Sequence, residues 1–152
     1  MQTFGKYLVC LTGGIASGKT TISKLFEDNG INVIDADVLA REAVLPGGEG
    51  LSKLVAYFGS NILKGDGSLN RPKLRKIVFE SSKNLKMINS IVHPIVKKLM
   101  LMQIKSSASK LIAVVIPLFD GQEEYMYFDR VCVVDVGTDV QKKRLTRRDG
   151  ID

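Results

Sequence analysis

The run Gly13-Gly14-Ile15-Ala16-Ser17-Gly18-Lys19-Thr20 constrains this chain more than any other stretch, because it follows the pattern GxxxxGK[ST] and lies between the two elements such a loop requires. Ahead of it, Tyr7-Leu8-Val9-Cys10-Leu11-Thr12 is a short apolar run that reads as a buried strand. Behind it, Ile22, Leu25 and Phe26 recur at helical spacing until Asn29-Gly30 supplies a stop. A strand that turns through glycines into a helix offers backbone N–H groups and the positive end of a helix dipole to an anion. Lys19 is then expected to reach the β and γ phosphates of a nucleotide, and the Thr20 hydroxyl to ligate Mg²⁺. The bland alternative is a glycine-rich turn that binds nothing.

A second strand is expected over Asn32-Val33-Ile34-Asp35-Ala36-Asp37, giving the strand, helix, strand rhythm of a parallel sheet. The β-branched runs Leu111 to Ile116 and Val131 to Val136 read as strands three and four, buried on both faces. Between strands two and three the pattern is helical. Val38 to Val44 forms a short helix closed by Pro46-Gly47-Gly48, and Leu51, Leu54, Val55 and Phe58 mark a second. Asn70 caps a third with Pro72 in its first turn; Leu85, Ile88, Val92, Ile95, Leu99 and Met102 line a long one, kinked at Pro94. Thr138 caps the last helix, with Val140 and Leu145 inward. The fold class is therefore α/β: a parallel sheet flanked by helices, with a core over residues 1–37 and 108–152 and a helical insertion over about 38–107 that carries the second substrate.

A length of 152 residues with 45% hydrophobic and 25% charged side chains suits one soluble domain and argues against disorder. The longest apolar stretch, Leu111 to Phe119, is too short for a bilayer, and the N-terminus lacks a signal-peptide pattern, so the expected location is cytoplasmic with no membrane partner. Cys10 and Cys132 fall in predicted buried strands, where a thiol acts as a small apolar group; neither a disulfide nor a metal site is expected of them. The net charge of +6 invites a nucleic-acid reading, but the basic residues are scattered and lack aromatic interleaving. Nucleotides account for the same excess, so no nucleic-acid partner is expected. Nothing in the pattern sets an oligomeric state.

Phosphoryl transfer needs positioning, a metal, and a group that orients or deprotonates the attacking hydroxyl. Asp35 and Asp37 close strand two, and its two-residue period directs both carboxylates to one side, at the sheet edge that holds the glycine loop. Asp37 is assigned as general base or hydroxyl anchor, with Asp35 supporting it or the waters of Mg²⁺. Solvated strand-end acids, or a cap for the next helix, are the alternative. Arg144 and Arg148 are four apart on the last helix, so both share a face from which one can stabilise the transferring group; a solvated basic helix end is equally open. His93 is the only histidine and is kept as a candidate binding residue, against a local hydrogen-bond role.

GGIASGKTT, NVIDADVLAREAV, FGSNIL with DGSLNRPKLRKIVF, INSIVHPIV, VVIPLF, FDRVCVVDV and KKRLTRRD, in that order, resemble the dephospho-CoA kinase family over nearly the whole chain. The resemblance implies a P-loop kinase fold that transfers the ATP γ-phosphate to the ribose 3′-hydroxyl of dephospho-CoA, the last step of coenzyme A synthesis. It implies that Gly13, Gly14, Ile15, Ala16, Ser17, Gly18, Lys19, Thr20 and Thr21 hold ATP phosphates and Mg²⁺, that Asp37 faces the acceptor hydroxyl, that Arg41, His93, Pro117 and Leu118 surround dephospho-CoA, and that Arg144 and Arg148 lie near the nucleotide. Ala16 replaces a usual glycine, which is harmless at negative φ, and Asp120 stands near the place of a usual glutamate. Family members continue past the equivalent of Asp152 into a helical lid, a further strand and a closing helix. Without these, Val131 to Val136 is expected to be an apolar edge, and turnover to be weakened. The rival functions are a kinase for another small acceptor, a nucleotide-binding module without catalysis and, ranked last, a nucleic-acid binder that exploits the positive charge.

Overall fold

The computed structural model describes residues 4–14, 16–117 and 127–149, and it divides the chain into two compact units, one of 1–37 with 103–152 and one of 38–102. The first is built on β1 (Tyr7–Gly13), β2 (Asn32–Asp35), β3 (Leu111–Val115) and β4 (Arg130–Val134), all parallel, in the order β2-β3-β1-β4. Register brings the ends flush: Leu11 lies opposite Val115 on one side and Cys132 on the other, and Asp35 also lies opposite Val115. The chain leaves β1 toward β2 and leaves β3 toward β4, in opposite directions across the sheet. The switch point thus falls between β1 and β3, and ligands of open α/β sheets bind beyond the strand ends there.

Leu8, Cys10, Leu11, Ile34, Ile112 and Val114 are fully buried at the centre of this sheet. Each large aliphatic side chain among them contributes about 1.5–3 kcal/mol by leaving water. Helix α1 (Lys19–Asp28) lies against β1, β3 and β2. It stops at Asn29, and Gly30, at φ 75°, turns the chain back toward β2.

Three expectations are corrected here. Strand β2 ends at Asp35, not Asp37, because α2 (Ala36–Glu42) begins at once: Asp35 Oδ1 accepts the Asp37 N–H at 2.8 Å, and a short acid caps a helix better than it extends a strand. Strand β4 is not buried on both faces. Val131 is 45% and Val133 65% exposed, and Cys132 is exposed too; α1 packs on β1, β2 and β3, and among the described residues β4 pairs with β1 alone, as the apolar edge that the family resemblance led us to expect. Helix α6 (Thr138–Asp149) starts from Gly137, whose carbonyl accepts the N–H groups of Val140 and Gln141, and Val140 faces solvent, not the core.

The second unit contains the rest of α2, α3 (Glu49–Phe58), a 3-10 turn at Ser60–Ile62, α4 (Arg71–Glu80) and most of α5 (Ser82–Ser106). Its core is Val44, Leu51, Leu54, Ile62 and Leu69, with Phe58, Leu74, Ile88 and Val92 packed around them. The Asn70 side chain accepts from Lys73 N–H at 3.1 Å, ahead of Pro72. Gly50 is required, since a Cβ there would stand 2.0 Å from the Ala43 carbonyl oxygen. Helix α5 continues through Pro94, while Leu85 and Met102 at its ends are exposed and do not join the apolar face.

Candidate active site

The loop after β1 is shaped by close backbone approaches. A Cβ on Gly13 would come within 2.3 Å of the Val134 carbonyl oxygen on β4, so the neighbouring strand admits only glycine there. Gly18, at φ 99°, starts α1 without a side-chain cap, which leaves the helix N-terminus open to an anion. Ser17 is 2% exposed, and its hydroxyl has no hydrogen-bond partner among the described residues. Such an orphan costs about 1–3 kcal/mol, and a phosphate oxygen is the kind of acceptor that would satisfy it. The loop therefore fits a phosphate group. Ala16 takes φ 56°, left-handed and contrary to the negative φ that would make alanine harmless there.

Lys19 folds back over the loop. Its Nζ donates to the carbonyls of Gly13 at 2.7 Å and Gly14 at 2.9 Å, leaving one of its N–H groups for a ligand. Burial lowers its proton affinity below that of an ordinary lysine, and the nearby Asp37 carboxylate acts in the opposite direction. The first turn of α2 thus sets an acid against the phosphate lysine. The two carboxylates do not share a face by strand alternation, as the sequence suggested: Asp35 is committed to the helix cap, and Asp37 is the exposed acid whose charge acts on Lys19.

From the other side α6 reaches the loop. Arg144 Nη1 donates to the Ala16 carbonyl at 3.2 Å and stands 3.3 Å from where a Gly18 Cβ would be. Gln141, one turn earlier, has its Nε2 2.7 Å from the position of a Gly14 Cβ. Sequence reasoning missed Gln141; its i, i+3 spacing from Arg144 was the only available signal. Arg148 is exposed farther along α6, and Thr20 and Thr21 are exposed on the first turn of α1. Pro117 follows Ile116, whose N–H donates to the Leu11 carbonyl at 2.9 Å, and so lies at the same sheet edge as the loop. Arg41, in the last turn of α2, and His93, within α5, are exposed on the helical unit. Ile15, Leu118 and Asp120 lie outside the described residues. Among the described residues no group of three His, Cys, Asp or Glu side chains could hold a metal, and no helix is long and apolar enough to cross a membrane.

A glycine loop leaving a central parallel strand, its lysine held at the loop mouth and opposed by an acid from beyond the neighbouring strand, defines a P-loop kinase fold. Residues 7–152 match the family described as dephospho-CoA kinase. Dephospho-CoA kinases of Shewanella oneidensis and Escherichia coli are each 40% identical to the chain, over 97% and 96% of it and over 72% and 71% of their own lengths. A solved Thermus thermophilus structure superposes with TM-score 0.83 at 26% identity, covering 97% of this chain and 74% of that one. The dephospho-CoA kinase of Campylobacter jejuni gives 0.66 at 26% identity, covering 97% and 75%. The chain belongs to the dephospho-CoA kinase family.

Proposed function

We propose that this chain transfers the γ-phosphate of ATP to the ribose 3′-hydroxyl of dephospho-CoA, the final step of coenzyme A synthesis, in the cytoplasm. The observation that supports the reading is that the Asp37 carboxylate acts electrostatically on Lys19, so an acid stands within reach of the phosphate lysine's charge. Lys19 holds the β and γ phosphates through its remaining N–H. Asp37 orients the acceptor hydroxyl and takes its proton as the oxygen attacks phosphorus, the β–γ bridging oxygen departs with ADP, and Lys19 and Arg144 offset the charge that spreads over the transferring group.

The Thr20 hydroxyl would hold Mg²⁺, with the Asp35 carboxylate oxygen that the cap does not use acting through water, since these are the hard oxygen donors that ion prefers; when bound it would neutralise phosphate charge. Arg41, His93 and Pro117 are assigned to dephospho-CoA, together with Leu118, and Arg148 to the nucleotide. The test is incubation of the purified chain with Mg·ATP and dephospho-CoA, followed by mass detection of coenzyme A. Product is expected, with Lys19→Ala reducing its rate about a hundredfold or more. ATP binding without coenzyme A, or phosphorylation of a different acceptor from a panel, would overturn the reading.

A further inference from the structure

We propose that α6 is a clamp on the phosphate loop: Arg144 and Gln141 hold the loop in its phosphate-ready shape, and Arg144 acts on the nucleotide chiefly through the Ala16 carbonyl. This rests on the loop being the phosphate site. Three observations converge on it. Ala16 occupies the left-handed region, which alanine adopts only when its surroundings impose it. The carbonyl of that same residue accepts Arg144 Nη1 at 3.2 Å. Three residues before Arg144, Gln141 fills the space beside Gly14, with Nε2 2.7 Å from where a Cβ would stand.

The two side chains lie on one helix face, one turn apart, and bracket the loop on both sides of Ala16. The bond to the Ala16 carbonyl commits the guanidinium to the loop backbone, so Arg144 acts on a bound phosphate through the shape of the loop. Arg144 and Gln141 are therefore positioning residues. The arrangement assigns a role to two irregularities of the loop: strain at residue 16 and glycine at residue 14.

The strain makes the proposal testable by a double-mutant cycle. Glycine adopts the left-handed region freely, so Ala16→Gly removes the need for a clamp. In the wild-type background, Arg144→Ala is expected to speed hydrogen exchange of the amides of residues 16–18 in the nucleotide-free chain and to raise the Kd for Mg·ATP about tenfold. In the Ala16→Gly background the same substitution is expected to change the Kd no more than about twofold, a non-additivity that a residue touching phosphate directly would not show. Gln141→Ala is expected to weaken binding about threefold by the same route, and Gly14→Ala, which displaces Gln141, should add little on top of it.

Equal loss of affinity on Arg144→Ala in both backgrounds overturns the clamp, as does unchanged exchange at residues 16–18. If exchange responds as expected but Mg·ATP binds to no variant and not to the wild type, the clamp stands and the phosphate-site reading falls. Circular dichroism of each variant separates these outcomes from loss of fold.

Discussion

The two flanks of β1 are chemically alike and physically opposite. On one side β3 contributes Ile112, Ala113, Val114 and Val115, all buried; on the other β4 contributes Val131, Cys132 and Val133, all exposed. Both are apolar, parallel and in register with β1. β3 is an interior strand on which α1 packs, and among the described residues β4 is an edge; the other edge strand, β2, keeps Ile34 buried, and α1 packs on it as well. The same asymmetry runs into the site. The buried flank leads to Asp37, whose charge acts on Lys19, and the exposed flank leads through Gly137 to α6, whose Arg144 donates to the loop. The acid that acts on Lys19 thus follows the buried side and the helix that contacts the loop follows the exposed one.

The comparison breaks most sharply at matched valines. Val114 lies between Cys10 and Ile34 in the ladder and is fully buried, so Val114→Asp places an unpaired charge in the core and is expected to cost on the order of 4 kcal/mol or more, enough to unfold the chain. Val133→Asp is expected to change stability by less than about 0.5 kcal/mol and to reduce self-association, since a charge on an edge strand opposes edge pairing. Urea unfolding and sedimentation measure both. Equal destabilisation by the two would mean that β4 is buried like β3.

On the chemical side, Asp37→Asn is expected to lower turnover by about a hundredfold or more while leaving the fold intact. It also has a pH signature. Burial already lowers the proton affinity of Lys19, and the Asp37 carboxylate raises it; removing that charge lets the lysine lose its proton at lower pH. The alkaline fall in ATP affinity, which tracks loss of the ammonium, should therefore move to lower pH in Asp37→Asn. An unmoved alkaline limb would show that the two side chains do not interact.

Within the loop, Ala16→Gly releases a left-handed alanine and is expected to stabilise the folded chain by up to about 1 kcal/mol, offset in part by the greater freedom of glycine when unfolded. A Tm that falls instead would show that the loop gains more from alanine's restricted backbone than it loses to strain.

Legibility in the sequence tracked the range of the interactions involved. The strand, loop and first helix were legible because their signals are local: an apolar run, glycines where backbones approach, a helical repeat and a stop. Asp37 was assigned to the wrong element, since alternation along a strand was extended two residues past the point where Asp35 turns the chain into a helix. Cys132 and its neighbours were read as buried on both faces because an apolar run reports membership in a parallel sheet and not which strand is outermost; the family resemblance alone pointed to the edge that β4 forms among the described residues. The left-handed Ala16 and the packing of Gln141 against Gly14 were invisible, because each depends on a helix more than a hundred residues away in the chain.

The smallest effect compares the two cysteines, one on β1 and one on β4. Cys10 is buried, and loss of water around it, with a smaller contribution from Cys132, pushes its thiol from 9.0 up to about 12. Cys132 is exposed. A thiolate is the reactive form, so at neutral pH an alkylating agent should label Cys132 and leave Cys10 untouched until the chain unfolds. The raised Cys10 value also has a sign for stability: as pH rises above 9.0 the unfolded thiol loses its proton first, so the folded state loses ground progressively until about 12. A Cys10→Ala variant should show a shallower alkaline decline, measured relative to its own stability at pH 7 because the substitution also leaves a small cavity. Labelling of Cys10 at a rate similar to Cys132 in the folded chain would mean that β1 is open to solvent, and the contrast between its two flanks would be lost.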